Sequence, residues 1–151
     1  MNGSALKLRR AVERHKVISL DTAPLIYYIE DVAPYADLVE PVFGLLENHS
    51  LRAVTSIAEI LTKPFADKNF SLADEIKFTL KSFSALTVLP VDEKLAEAAA
   101  LIRARYAIRL PDALQVAAAI QGEATLFLTN DKRTKKVDAV EVLALSDFLN
   151  G

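Results

Sequence analysis

The chain has 151 residues, of which 52% are hydrophobic and 25% charged, with a formal net charge of −2. That size suits one domain with a substantial core, and the slight acidity argues against broad, non-specific nucleic-acid binding. Cysteine is absent, which excludes disulfides, thiolate metal sites and cysteine nucleophiles, and His15 and His49 alone are too few for a histidine-rich zinc site.

Residues 1–16 carry Lys7, Arg9, Arg10, Arg14 and Lys16 and read as a basic extension ahead of the first strand. An added helix, a partner contact, a nucleic-acid arm and a disordered tail all stay open for it. The run Val17–Asp21 predicts a strand, followed by helical stretches from Pro24 to Ile29 and from Tyr35 to Asn48. A strand is expected at 51–55, then a helix starting at Ser56 that should stop near Lys63-Pro64, because proline disfavours helix in the residue before it. Ser71 and Asp74 have capping-box spacing and predict the next helix.

Residues 86–89 read as a strand, and Leu95, Ala98, Ala99, Ile102 and Tyr106 repeat at helical spacing after Asp92, an expected N-cap. A helix from Pro111 to Gln121 should end at Gly122, followed by strands at 125–129 and 139–143 and a last turn at 146–149. Strands alternating with helices imply parallel, right-handed βαβ units. The expected fold is α/β, a three-layer α/β/α sandwich over residues 17–151 with a central, mainly parallel five-stranded sheet.

Four acids sit where the chain leaves, or has just left, a strand: Asp21, Glu59, Asp112 and Asp131. Singly, each has an ordinary explanation. Asp21 can cap a helix, Glu59 completes a capping box with Ser56, Asp112 suits a helix N-terminus, and Asp131 belongs to an Asn-Asp turn. Capping does not require acids to recur at one edge of successive βα units, whereas a shared metal centre does. Carboxylates gathered there repel one another unless cations neutralise them, and Mg²⁺ or Mn²⁺ prefers oxygen ligands. By contrast, Asp37, Glu40, Glu47, Asp67, Asp74, Glu75, Glu93 and Glu97 read as solvent-facing charge. A second basic cluster, Lys132, Arg133, Lys135 and Lys136, follows Asp131. No glycine-rich phosphate loop is present, and neither histidine lies beside a nucleophile turn.

The blocks Ser19-Leu20-Asp21-Thr22, Thr55-Ser56-Ile57-Ala58-Glu59-Ile60-Leu61, Leu110-Pro111-Asp112-Ala113-Leu114-Gln115-Val116-Ala117 and Phe127-Leu128-Thr129-Asn130-Asp131 together resemble a PIN-domain nuclease, with the nearest likeness to VapC-type toxins of toxin–antitoxin pairs. The chain departs from the family in its longer basic N-terminus and in the lysine-rich segment after Asp131.

The resemblance implies metal-dependent hydrolysis of RNA phosphodiesters by an endoribonuclease. Asp21, Glu59 and Asp112 would hold Mg²⁺ or Mn²⁺, with Asp131 in support. Thr22, Thr129 and Asn130 would orient a carboxylate or contact phosphate, and Lys132 and Arg133 would contact the RNA backbone. It also implies an antitoxin partner, received near Tyr27, Tyr28, Tyr35 and Phe43, and a homodimer. The alternatives are a catalytically weak module that binds RNA or protein, and a metal-dependent phosphatase. No apolar run is long enough to cross a bilayer and no signal-like segment precedes the first strand, so the expected location is the cytoplasm.

Overall fold

The computed structural model describes residues 1–149; the last two residues of the expected 17–151 domain lie outside the described residues. Five strands, β1 (Val17–Leu20), β2 (Arg52–Ser56), β3 (Leu86–Leu89), β4 (Leu126–Thr129) and β5 (Glu141–Ala144), form one sheet in the order β3-β2-β1-β4-β5. Every pairing is parallel, with Ile18 opposite Ala53 on one side and Leu126 on the other. The sheet is therefore wholly parallel. Parallel neighbours need crossovers, and helices fill all but the β4–β5 connection, which is a 3-10 turn at Lys132–Lys136.

Alternation along β1 divides the core. Ile18 and Leu20 join a cluster with residues of α1 (Gly3–Glu13), α2 (Thr22–Ile29), α3 (Tyr35–Glu47) and, through Ile76 and Leu80, a later helix. The opposite face is covered by α6 (Glu93–Tyr106) and α7 (Leu110–Gln121), which bury Leu95, Ala99 and Ile102 with Ala113, Val116 and Ala117. Gly122 ends α7 as expected, and its lack of a side chain is required by packing. A Cβ there would lie 2.6 Å from Val54 Cγ1.

The basic N-terminal segment is an ordered helix. Asn2 caps α1 by accepting from Ala5 N at 2.8 Å, and Ala5, Leu8 and Val12 line one buried face at helical spacing. Leu8 and Val12 are fully buried in the same cluster as Ile18, and each contributes about 1.5–3 kcal/mol. Lys7, Arg10 and Arg14 stay exposed, and Arg9 pairs with Glu13 one turn on, at 2.8 Å. His15 pins the N-terminal edge of the sheet through Thr125 Oγ1 at 2.7 Å and Glu141 at 2.9 Å.

Two expected elements differ. No helix starts at Ser56; residues 57–61 form a turn, and the short helix α4 (Thr62–Ala66) begins where the expected helix should have stopped. Pro64 falls in the first turn of α4, where a missing N–H costs nothing. The next helix, α5 (Phe70–Ser82), is capped by Asn69, which accepts from Leu72 N at 3.1 Å, and not by Ser71. Asp92 caps α6 as expected, accepting from Leu95 N at 2.9 Å. The eight acids read as solvent-facing charge are all exposed.

Candidate metal centre

The strand order turns back between β1 and β4, which are neighbours in the sheet although β2 and β3 intervene in sequence. At such a point the loops leaving the two strands diverge and open a crevice beyond their C-terminal ends. Asp21 leaves β1 and Asp131 follows β4, so both stand at that crevice. Glu59 comes from the turn after β2, and Asp112 from the first turn of α7.

One oxygen from each of Asp21, Glu59 and Asp112 lies within 4.8 Å of the others. Asp21 is 6% exposed and Asp112 4%, while Glu59 is half-buried. Asp21 caps α2: its Oδ1 accepts from Thr22 N at 2.8 Å and its Oδ2 from Thr129 Oγ1 at 2.7 Å. Those bonds favour the charged form, but burial outweighs them. Aided by repulsion from Asp112 and Glu59, burial pushes the Asp21 carboxyl up to about 6. A carboxyl held at the edge of ionisation by burial, with two other acids beside it, is what an oxygen-ligated cation would relieve.

Glu59 does not close the expected capping box. Ser56 N–H instead donates to Gln115 Oε1 at 3.0 Å, and Gln115 Nε2 donates back to Ser56 O at 3.0 Å. This buried amide ties the end of β2 to α7, and therefore ties the elements carrying Glu59 and Asp112 together. Thr55 Oγ1 adds a bond to Leu20 O at 2.7 Å, joining β2 to β1 beside Asp21. Gln115 was readable as a lone polar residue in the buried run Ala113–Ala119, although nothing local shows its partner.

Asp131 lies outside the trio. Arg133 forks it, with Nε at 2.9 Å from Oδ1 and Nη2 at 2.6 Å from Oδ2, and holds the carboxyl below the usual carboxylate range. Asp131 N–H donates to Thr129 Oγ1 at 3.0 Å, so the hydroxyl that orients Asp21 also fixes Asp131. Asn130 lines the same cavity but bonds to neither acid: its Nδ2 donates to Tyr27 Oη at 3.1 Å and its Oδ1 accepts from Ser146 N at 3.0 Å. Lys132 pairs with Asp147 at 2.9 Å, and Lys135 shares that partner. Arg109, not singled out in the sequence, forks Asp112 with Nε at 3.1 Å from Oδ2 and Nη2 at 3.3 Å from Oδ1.

The trio, Thr22, Arg109 and Asp131 line a cavity of ≈ 830 Å³ that extends past Ile26, Tyr27 and Leu72. Three clustered carboxylates form an all-oxygen donor set that fits Mg²⁺ or Mn²⁺, and Thr22 Oγ1, beside Asp21, is a buried hydroxyl with no partner among the described residues. Tyr27 and Tyr28 are half-buried, stacking on Tyr35 and Phe43 with ring centroids 4.5 Å and 4.0 Å apart.

The sequence model of the family described as PIN domain matches residues 18–140. The chain belongs to the PIN domain family. Among solved structures, this PIN domain is similar to a chain of a toxin–antitoxin complex from Klebsiella pneumoniae (18% identity, TM-score 0.57), covering 85% of this chain and 97% of that one. It is also similar to chains of VapBC2 from Rickettsia felis bound to a promoter DNA fragment (18%, 0.58, covering 85% and 98%) and of DNA-bound VapBC from Salmonella typhimurium (20%, 0.60, covering 85% and 97%). These likenesses show a shared fold. A search of curated protein sequences found no match. Among the described residues of this PIN domain, no helix is long and apolar enough to cross a membrane.

Proposed function

We propose that this PIN domain is a Mg²⁺- or Mn²⁺-dependent endoribonuclease and the toxin of a toxin–antitoxin pair. The observation that carries the reading is the meeting of Asp21, Glu59 and Asp112 at the sheet's switch point, within 4.8 Å, in a family whose resemblance implies phosphodiester hydrolysis. Bound there, the ion would activate water and offset charge on the phosphoryl oxygens and leaving group. Asp21, fixed by Thr129 and Thr22, is the ligand whose geometry is most constrained. Glu59 and Asp112 complete the set, and Asp131 supports it through water or a second ion, with Arg133 as its present counter-charge.

Metal-free, the cluster repels a polyanion, so RNA binding and cleavage both depend on the ion. Lys132 and Arg133 meet the RNA backbone by exchanging their carboxylate partners for phosphates. The similar toxin–antitoxin complexes support an antitoxin partner, received along the cavity's apolar flank at Ile26 and Tyr27. A homodimer and a cytoplasmic location follow from the same reading. We take residues 17–151 as the PIN-like unit and α1 as an addition to it.

The test incubates purified protein, free of any antitoxin, with folded and single-stranded RNAs and with a phosphomonoester, in Mg²⁺, Mn²⁺ or EDTA. Metal-dependent RNA cleavage supports the reading. Hydrolysis of the phosphomonoester alone would select a phosphatase, and metal binding without hydrolysis would select a binding module.

A further inference from the structure

We propose that Arg109 is a substrate-anchoring residue of the metal centre, held by Asp112 so that its free edge grips a phosphate of the RNA. This rests on the nuclease reading above and adds a residue that the four-acid pattern does not contain. Arg109 occupies the N-cap position of α7, makes no capping bond, and turns its side chain over the first helical turn onto Asp112. Its Nη2 also lies 3.8 Å from Asp131 Oδ2. A guanidinium has five N–H donors in a planar fork. Nε and Nη2 are engaged, while Nη1 has no acceptor among the described residues, and the side chain is 53% exposed beside a nearly buried Asp112. Arg109 borders the cavity that the trio lines.

Charge explains the placement. A phosphate approaching three carboxylates is repelled unless positive charge lies close by, and a bidentate guanidinium matches the geometry of phosphate oxygens. Lys63 is the other cation lining the cavity, and it has no carboxylate to fix it among the described residues. Arg133 does not line the cavity and reaches a phosphate only by giving up Asp131, which holds both its Nε and its Nη2. The same fork opposes the metal, since it occupies both Asp112 oxygens and adds a like charge beside the ion. Arg109 thus serves the substrate at some expense in metal affinity, a combination that a purely structural ion pair would not produce.

The test compares wild type with Arg109→Gln and Arg109→Lys. Mn²⁺ affinity is read by titration calorimetry, and affinity for a short fluorescein-labelled uridine oligonucleotide by anisotropy at several salt concentrations in Ca²⁺, an oxygen-ligated cation too weak a Lewis acid to drive cleavage of the probe. In Arg109→Gln, Mn²⁺ should bind about 3- to 10-fold more tightly because a neighbouring cation has gone. The oligonucleotide should bind about 10- to 100-fold more weakly, with the slope of log affinity against log salt reduced by about 0.7. Arg109→Lys should restore the salt slope but not the full affinity, because an ammonium lacks the fork. Equal oligonucleotide affinity in wild type and Arg109→Gln, at any level, would overturn the inference while leaving the nuclease reading standing. So would parallel loss of metal and oligonucleotide binding, which would make Arg109 a prop for Asp112. Absence of Mn²⁺ binding in wild type would overturn both.

Discussion

Replacing Asp21 by Asn should make the metal-free protein more stable at neutral pH. The Asp21 carboxyl titrates near 6 in the folded protein against 3.8 for an ordinary side chain, mainly because it is buried. The folded-state value is raised, so the folded protein holds the proton more tightly than the unfolded chain does. Stability therefore falls as pH rises from about 3.8 to about 6 and is level above that. At 1.36 kcal/mol per unit, ionised Asp21 costs about 3 kcal/mol at pH 7, with little solvent screening to reduce it.

Asparagine removes that charge but offers one oxygen where the carboxylate accepts from both Thr22 N and Thr129 Oγ1, a loss of about 1 kcal/mol. The net gain is about 2 kcal/mol, or about 4–8 °C in Tm for a domain of this size. Thermal melts of both proteins in EDTA at pH 4, 5, 6 and 7 should show the difference growing with pH, with the variant slightly the less stable at pH 4, where the charge costs the wild type little and the lost hydrogen bond remains. Saturating Mn²⁺ should reverse the order, because a ligand at 100 times its Kd adds about 2.7 kcal/mol to the wild type alone. An Asn variant less stable than wild type at pH 7 in EDTA, or a difference independent of pH, would refute the reasoning.

Gln115→Ala strips Ser56 N–H and C=O of their buried partners and should cost about 2–4 kcal/mol in urea unfolding, with weaker Mn²⁺ binding because β2 and α7 lose their link. Gly122→Ala drives a methyl against Val54 and should cost about 1–3 kcal/mol; adding Val54→Ala makes room and should recover part of it in the same assay. Asp131→Asn should leave Mn²⁺ affinity within about threefold of wild type by calorimetry, because Asp131 lies outside the trio. Asp112→Asn should weaken Mn²⁺ affinity by about tenfold or more.

The sheet was legible because each strand is a short apolar run between turn residues, a pattern that depends only on neighbouring positions. The caps Asp21 and Asp92 and the stop at Gly122 were legible for the same reason. The Ser56–Glu59 pattern misled because a capping box competes with other acceptors, and here Gln115, remote in sequence, takes the Ser56 N–H first. Asn69 capped α5 ahead of Ser71 because both fit the local pattern and only the path of the turn after α4 selects one. In residues 1–16 the helix is carried by the face Ala5, Leu8 and Val12, a signal diluted by the dense basic residues between and after them.

Within the site, Asp21, Glu59 and Asp112 were visible as acids at strand exits and are brought together. The pairings of Arg109 with Asp112 and of Arg133 with Asp131 depend on how a helix start and a 3-10 turn aim long side chains, which spacing alone does not fix.

The most direct test is anomalous diffraction from crystals of the wild-type protein soaked in Mn²⁺. The account predicts a strong peak bounded by the carboxylates of Asp21, Glu59 and Asp112, absent from Asp21→Asn crystals. A protein that cleaves RNA in Mn²⁺ yet shows no peak there, or shows its peak at other residues, would contradict it.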